Sequence, residues 1–153
     1  MYDIRPASKE DAAIIAVQRR RMFLDMGKPD DANMQAMLTS FLPWVRDAIA
    51  SGKYLGMLAT NVHQVAAGAG MLLLEAAPTY GNTSSTRAYI FNVYTELEFR
   101  RQGLARQLIQ ALLEEAKLRG IRVVSLHATE SGKNVYSELG FETSNEMRLM
   151  LEP

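Results

Sequence analysis

Cysteine is absent from this chain, which excludes a disulfide framework, a thiolate metal site and a covalent cysteine-acyl mechanism. Net charge is absent too, since Lys plus Arg and Asp plus Glu both number 17. No overall field therefore favours nucleic acid or an anionic membrane as partner. No apolar run approaches the ~18 residues of a membrane span, and Met1-Tyr2-Asp3-Ile4-Arg5 lacks the apolar stretch of a secretory leader. The corresponding expectation is a cytoplasmic protein. Internal repeats and low-complexity linkers are also missing. What is there is 153 residues, 48% hydrophobic and 22% charged, the make-up of a single globular domain over 1–153 able to bury a core.

Periodicity and punctuation divide the chain into alternating elements. Residues 2–7 read as a short strand closed by Pro6. Ser8 with Asp11 three residues on forms a capping-box pattern for a helix that ends at Gly27 and carries Arg19, Arg20 and Arg21 on its polar side. Pro29, Asp30 and Asp31 open a second helical region that Pro43 is expected to kink or restart before Gly52 ends it. Strands are expected over 54–59 and 65–74, with Gly68 and Gly70 suited to a bulge or a close backbone approach. A loop rich in Pro, Thr, Gly, Asn and Ser covers 77–87. A strand over 122–128, a helix over 133–139 and a last strand over 146–151 complete an α/β pattern.

The informative stretch is Ala88 to Arg106, AYIFNVYTELEFRRQGLAR. Tyr89, Ile90, Phe91, Val93, Tyr94 and Thr95 are aromatic or β-branched and favour a strand. After Glu96-Leu97-Glu98-Phe99 comes Arg100-Arg101-Gln102-Gly103-Leu104-Ala105, leading into a helix with Leu104, Leu108 and Leu112 on one stripe and Gly120 just past its end. A strand, a basic turn with one glycine and a helix start gather unpaired N–H groups at the positive end of the helix dipole, where a phosphate binds well. The better-known phosphate loops do not fit. A dinucleotide fingerprint needs three glycines, and the Gly132-Lys133 pair has His127 and Asn134 where a P-loop needs Gly and Ser or Thr.

Arg100, Gly103 and Ala105 stand in the fixed places of R-x-x-G-x-A, and Tyr136-Ser137-Glu138-Leu139-Gly140-Phe141 follows at a suitable distance. The first segment resembles motif A of the GNAT superfamily of acyl-CoA-dependent N-acyltransferases, [QR]-x-x-G-x-[GA], and the second its later Y-x-x-x-G-F signature. The resemblance covers at least residues 88–141. It implies a single α/β GNAT domain whose mixed, mostly antiparallel sheet has about six to seven strands and about four flanking helices. It also implies acetyl-CoA as co-substrate, no metal, and transfer to a primary amine of a small molecule or protein by direct attack in a ternary complex. Family members are often dimers through their last strands, so a homodimer is the matching expectation.

Carried over residue by residue, the resemblance implies that Val93, Tyr94 and Thr95 pair with the pantetheine arm. The pyrophosphate falls to Arg100, Arg101, Gln102, Gly103, Leu104, Ala105 and Arg106, mostly through backbone N–H groups. Tyr136 matches the family's general acid, and a phenol with a pKa of about 10 is protonated at neutral pH. The usual cofactor-binding Asn is replaced at Thr129, so Thr129, Ser131 or neither takes its part, and Asn134 is a further cofactor candidate. The base is open. Where some members have Glu early on the central strand, Tyr89 to Phe91 carry no carboxylate. Asn92 either orients a water or the amine, or pairs with backbone at a bulge. His127, Glu75, Glu96 and a water relay are the alternatives. Met22, Met26, Met34 and Met37 with Phe23, Phe41 and Trp44 build either core or an apolar acceptor pocket, with Asp25, Asp30 and Asp31 placed to attract a cationic amine. An acyl-CoA-binding module without catalysis is the alternative function.

Overall fold

The computed structural model describes all of residues 1–153. Five strands form one sheet in sequential order: β1 (Asp3–Pro6), β2 (Tyr54–Thr60), β3 (Val65–Glu75), β4 (Thr86–Thr95) and β5 (Val124–Leu126). The first four are antiparallel neighbours, and β5 runs parallel to β4. Helices α1 (Ala12–Asp25) and α2 (Ala32–Ala50) fill the β1–β2 connection, α3 (Leu104–Leu118) is the β4–β5 crossover, and α4 (Lys133–Glu138) follows β5.

The sheet separates two cores. On one face Leu104, Leu108, Ile109 and Leu112 of α3 pack against Met71 and Ile90, as expected of a helix with one apolar stripe. On the other, Ile15, Phe41 and Val45 from α1 and α2 pack against Tyr54 and Leu58. The capping pattern at Ser8 is realised from one side, its N–H donating to Asp11 Oδ2 at 2.8 Å. Gly120, at φ 72°, ends α3 as a left-handed C′ residue, with Ile121 N–H bonded to the Ala116 carbonyl at 2.9 Å.

Four expectations need correction. The sheet has five strands, because residues 142–153 form neither helix nor strand. The alternation at 146–151 finds no partner, and Met147, Leu149, Met150 and Leu151 are exposed. β5 spans three residues only, since its pairing with β4 stops at Ile90 opposite Leu126. Of the two outcomes expected at Pro43 the restart does not occur: α2 is one helix through it, with Phe41 and Val45 in the core on either side. Arg19 leaves the polar side of α1 and joins the apolar side, as described below. No helix is long and apolar enough to cross a membrane.

Candidate active site

One cavity of about 1410 Å³ runs between β4, α1, α2, the start of α3 and the β5–α4 connection. Its first part is the turn before α3. Arg101 (φ 63°) and Gly103 (φ 75°) are both left-handed, the conformation in which successive N–H groups converge on an anion. The N–H groups from Arg101 through Arg106 donate to no acceptor in the protein, the first bond of the helix being Gln107 N to Gly103 O at 3.1 Å. Six consecutive donors at a helix start form a cradle for phosphate. A Cβ at Gly103 would meet nothing within 4 Å, so glycine serves the backbone conformation and the open approach there.

Arg100 and Arg106 have roles the motif does not show. Arg100 donates from Nε to the Thr95 carbonyl at 2.9 Å, pairs with Asp25 and lies over the Tyr94 ring, so it ties the turn back onto β4 and α1. Its pKa is raised chiefly by the hydrogen bond to Asp25. Arg106 pairs with Glu138 of α4. Arg101 has no ion-pair partner, and its charge is free for a ligand.

The second part is the middle of β4. Pairing to β5 ends at Ile90, whereas pairing to β3 continues to Thr95, so the edge of β4 beyond Ile90 faces the cavity without a strand beside it. Phe91 and Tyr94 oppose Gly70 and Gly68, leaving Asn92 and Val93 against the single residue Ala69, a β-bulge. Asn92, at φ 56°, takes the left-handed conformation that Asn tolerates better than most residues. Asn92 sits at this bulge, but its side chain pairs with other side chains and not with backbone. Its amide donates to Tyr54 Oη at 3.4 Å and accepts from Arg19 Nη1. Burial pushes the Tyr54 phenol up to about 12. Gly70 permits this contact, because a Cβ there would sit 2.1 Å from Tyr54 Oη.

Tyr136, on α4, lines the cavity with its ring edge-on to Phe141. Its hydroxyl has no hydrogen-bond partner in the protein, and burial raises its pKa above the ordinary phenol value. Of the remaining expected residues, Asn92, Val93, Tyr94, Thr95, Thr129 and Ser131 also line the cavity, Thr129 and Ser131 with their hydroxyls 3.2 Å apart. Gln102 and Asn134 do not; the Gln102 side-chain oxygen Oε1 accepts from Tyr2 Oη at 2.9 Å. Among the base candidates His127 reaches the cavity, its Nδ1 2.5 Å from Tyr89 Oη. Glu75 and Glu96 lie outside it, and Glu96 is paired with Arg21 at 2.7 Å.

Sequence reasoning missed Tyr89 and Arg19. Ile15, Arg19, Met22 and Phe23 follow one another at spacings of four, three and one, so the helical period itself places Arg19 on the apolar stripe. Met22, Phe23, Met26, Met37, Phe41 and Trp44 line the cavity, whereas Met34 is buried in the core. The three aspartates named for a cationic amine are committed elsewhere. Asp25 pairs with Arg100, Asp30 with Arg20, and Asp31 caps α2 by accepting from Asn33 N and Met34 N.

The model of the acetyltransferase (GNAT) family matches residues 14–141. A GCN5-related N-acetyltransferase from Ralstonia eutropha JMP134 is 28% identical over 99% of both chains, with a TM-score of 0.91. A protein from Clostridium acetobutylicum described as a predicted acetyltransferase, in a structure with acetyl-CoA, is 27% identical over 99% of this chain and 96% of its own, with a TM-score of 0.89. An aminoglycoside 6′-N-acetyltransferase from Acinetobacter haemolyticus, 19% identical over 99% of this chain and 98% of its own, shares the fold at a TM-score of 0.73. No curated protein matches the chain.

Proposed function

The chain belongs to the GNAT acetyltransferase family, and from that premise we propose that it moves an acetyl group from acetyl-CoA to a primary amine of a small molecule or protein by direct attack in a ternary complex. The observation that carries this reading is the row of unpaired N–H groups from Arg101 to Arg106, which opens onto the same cavity as Tyr136 and the free edge of β4. A cofactor with a pyrophosphate at one end and an amide-containing arm fits both features: the turn takes the phosphates, and Val93 to Thr95 offer backbone groups to the arm.

Acetyl-CoA supplies the acyl group as a thioester. The residues of the chain handle protons and orientation. Tyr136 holds its proton at neutral pH, because burial raises its pKa, and gives it to the departing sulfur. As the neutral acceptor nitrogen bonds the acetyl carbon and the C–S bond breaks, the nitrogen proton passes to solvent. The Tyr136 phenolate left by donation to the sulfur takes a proton back from solvent, so that the amide and the free thiol leave and the phenol is restored. Asn92 is this reading's positioning residue: held by Tyr54 and Arg19, it sets the backbone from which the Val93 N–H is presented to the acetyl oxygen. Bulk water reaches the site through the open cleft and serves as proton acceptor without a dedicated carboxylate.

Calorimetric titration with acetyl-CoA, CoA and ATP tests this reading. Micromolar binding of acetyl-CoA, lost when Gly103 is replaced by a bulky residue, supports it; an absence of binding overturns it.

A further inference from the structure

We propose that the acceptor carries a carboxylate for which Arg19 is the counterion, beside an apolar body, so that apolar amino acids and close amino carboxylates are the substrate class. This rests on the acetyl-transfer reading above and names the acceptor for the same site.

Arg19 projects from α1 into the cavity. Its guanidinium carbon lies 4.6 Å from the Phe41 ring centre, 5.0 Å from Phe23 and 5.7 Å from Phe91. Within the protein its hydrogen bond is the one from Nη1 to Asn92, and Nε is fully buried with no partner. No carboxylate pairs with it, whereas Arg20, Arg21, Arg100 and Arg106 each have one. A guanidinium stays charged even where burial lowers its pKa. A cation set among three phenyl rings and one amide oxygen, half-buried and open to the cavity on its remaining side, has no counterion in the protein and is placed to pair with a ligand's.

The surroundings decide the sign and size of that ligand. Five arginines line the cavity against one carboxylate, Asp25, which is committed to Arg100. A polycationic acceptor therefore finds no free acid, while an anion finds Arg19. The cofactor phosphates do not account for it. Their turn follows the C-terminal end of β4, whereas Arg19 meets the strand at Phe91 and Asn92. Thr95, where the strand ends, lies three residues beyond Asn92, so the phosphate turn sits at the far end of the free edge. Arg148 lines the same cavity but is exposed and solvated, so Arg19 is the cation in need of a partner. One guanidinium balances a carboxylate; a phosphate dianion would keep a second charge among the rings. Met22, Met37 and Trp44, with the three phenyl rings, then give the remainder of the acceptor an adaptable apolar surface. The carboxylate stays chemically unchanged, and the amine of the same molecule is acetylated.

The test uses the whole protein, acetyl-CoA and matched acceptors: phenylalanine, leucine and methionine, the amides of all three, and phenethylamine and isoamylamine. Thiol release should give the amino acids a kcat/KM about 10- to 100-fold above their carboxylate-free partners, as expected for a hydrogen-bonded charge pair. Arg19→Met should collapse that ratio towards one, mainly through KM, and Arg19→Lys should leave an intermediate ratio. Carboxylate-free amines that match or exceed the amino acids on the unaltered protein overturn the proposal, without any need for the variant to fold. A protein that binds acetyl-CoA yet neither acetylates nor calorimetrically binds any amino carboxylate in the panel overturns it as well, and leaves the cofactor reading standing. Failure to bind acetyl-CoA is instead the failure of that reading.

Discussion

Replacing Tyr136 by Phe separates the proton-donor role of this residue from its packing role. The hydroxyl has no hydrogen-bond partner in the protein, and the contact of the ring with Phe141, centres 6.0 Å apart, survives in Phe. Nothing folded depends on the oxygen, so unfolding free energy should move by less than about 0.5 kcal/mol. Activity should behave differently. General acids contribute about 10²- to 10⁴-fold. Burial raises this phenol above its ordinary value near 10, whereas an alkyl thiol of the cysteine type titrates near 8.5, so proton transfer to the sulfur is uphill by more than about one unit. That places the loss in the lower half of the range, about 10²- to 10³-fold in kcat, or about 3–4 kcal/mol at 1.36 kcal/mol per tenfold. The assay is thiol release at saturating acetyl-CoA, with calorimetric Kd and thermal melting on the same preparation. Because the protonated form is the active one, the unaltered protein should lose rate as pH rises through the raised phenol pKa, and the variant should lack that limb. Turnover within threefold of the unaltered protein would refute the acid role. A melting temperature lowered by several degrees would show that the side chain is structural instead.

Three further changes probe the frame around that residue. Gly70→Ala places a Cβ 2.1 Å from Tyr54 Oη and 2.3 Å from Cζ, so the buried ring must move and its bond from Asn92 is lost; the cost is about 2–4 kcal/mol, or about 5–15 °C in Tm by scanning calorimetry. Tyr54→Phe should not rescue it, because the ring carbons clash as well. Gly103→Ala puts a side chain at φ 75° with no protein neighbour within 4 Å, so stability should fall by about 1 kcal/mol while acetyl-CoA affinity, measured by calorimetry, falls at least tenfold. Asp11 is held down to about 2, first by its hydrogen bond from Arg5. Its stabilisation is therefore complete above the unfolded carboxylate pKa near 4 and is lost as pH falls through about 2. The unfolding free energy from urea titrations should drop across that window by about 1 kcal/mol, given the solvent screening of half-exposed Arg5, and Asp11→Asn should flatten the drop.

How much of this was legible in the sequence depends on how local each cause is. The turn before α3 was legible because its requirements are local: one glycine that must be left-handed, basic neighbours, and an apolar stripe that starts at Leu104. Gly68 and Gly70 were marked for a bulge or a close approach, and both occur, the approach being that of Tyr54 from another strand. The last strand was not legible. Alternation at 146–151 describes a segment fit for a sheet edge, but an edge needs a neighbour, and β5 ends after three residues. The ion pairs were illegible for a similar reason. Asp25 and Arg100 stand 75 positions apart, and no local pattern says that the carboxylate is already taken. Arg19 was misplaced although its spacing from Ile15 was on view, since composition alone assigns three successive arginines to the polar side.

Asn92 joins the two halves of the cavity. A non-glycine residue at φ 56° costs about 1–3 kcal/mol unless its surroundings fix it. Here the side chain is buried, 8% exposed, and is held from two directions by Tyr54 of β2 and Arg19 of α1. The bulge turns consecutive residues, Phe91 and Asn92, towards Arg19, where an uninterrupted strand would have sent them to opposite faces. It lies two residues beyond the last β4–β5 pair, at the head of the free edge that leads to the Arg101–Arg106 donors. One strained residue thus positions the backbone on the donor side and the cation on the acceptor side. A change at Asn92 should therefore weaken acetyl-CoA binding and acceptor selectivity together; a change at Gly103 should weaken acetyl-CoA binding alone, and one at Arg19 should abolish the selectivity with a smaller loss of acetyl-CoA binding, since Asn92 keeps Tyr54 as its other partner.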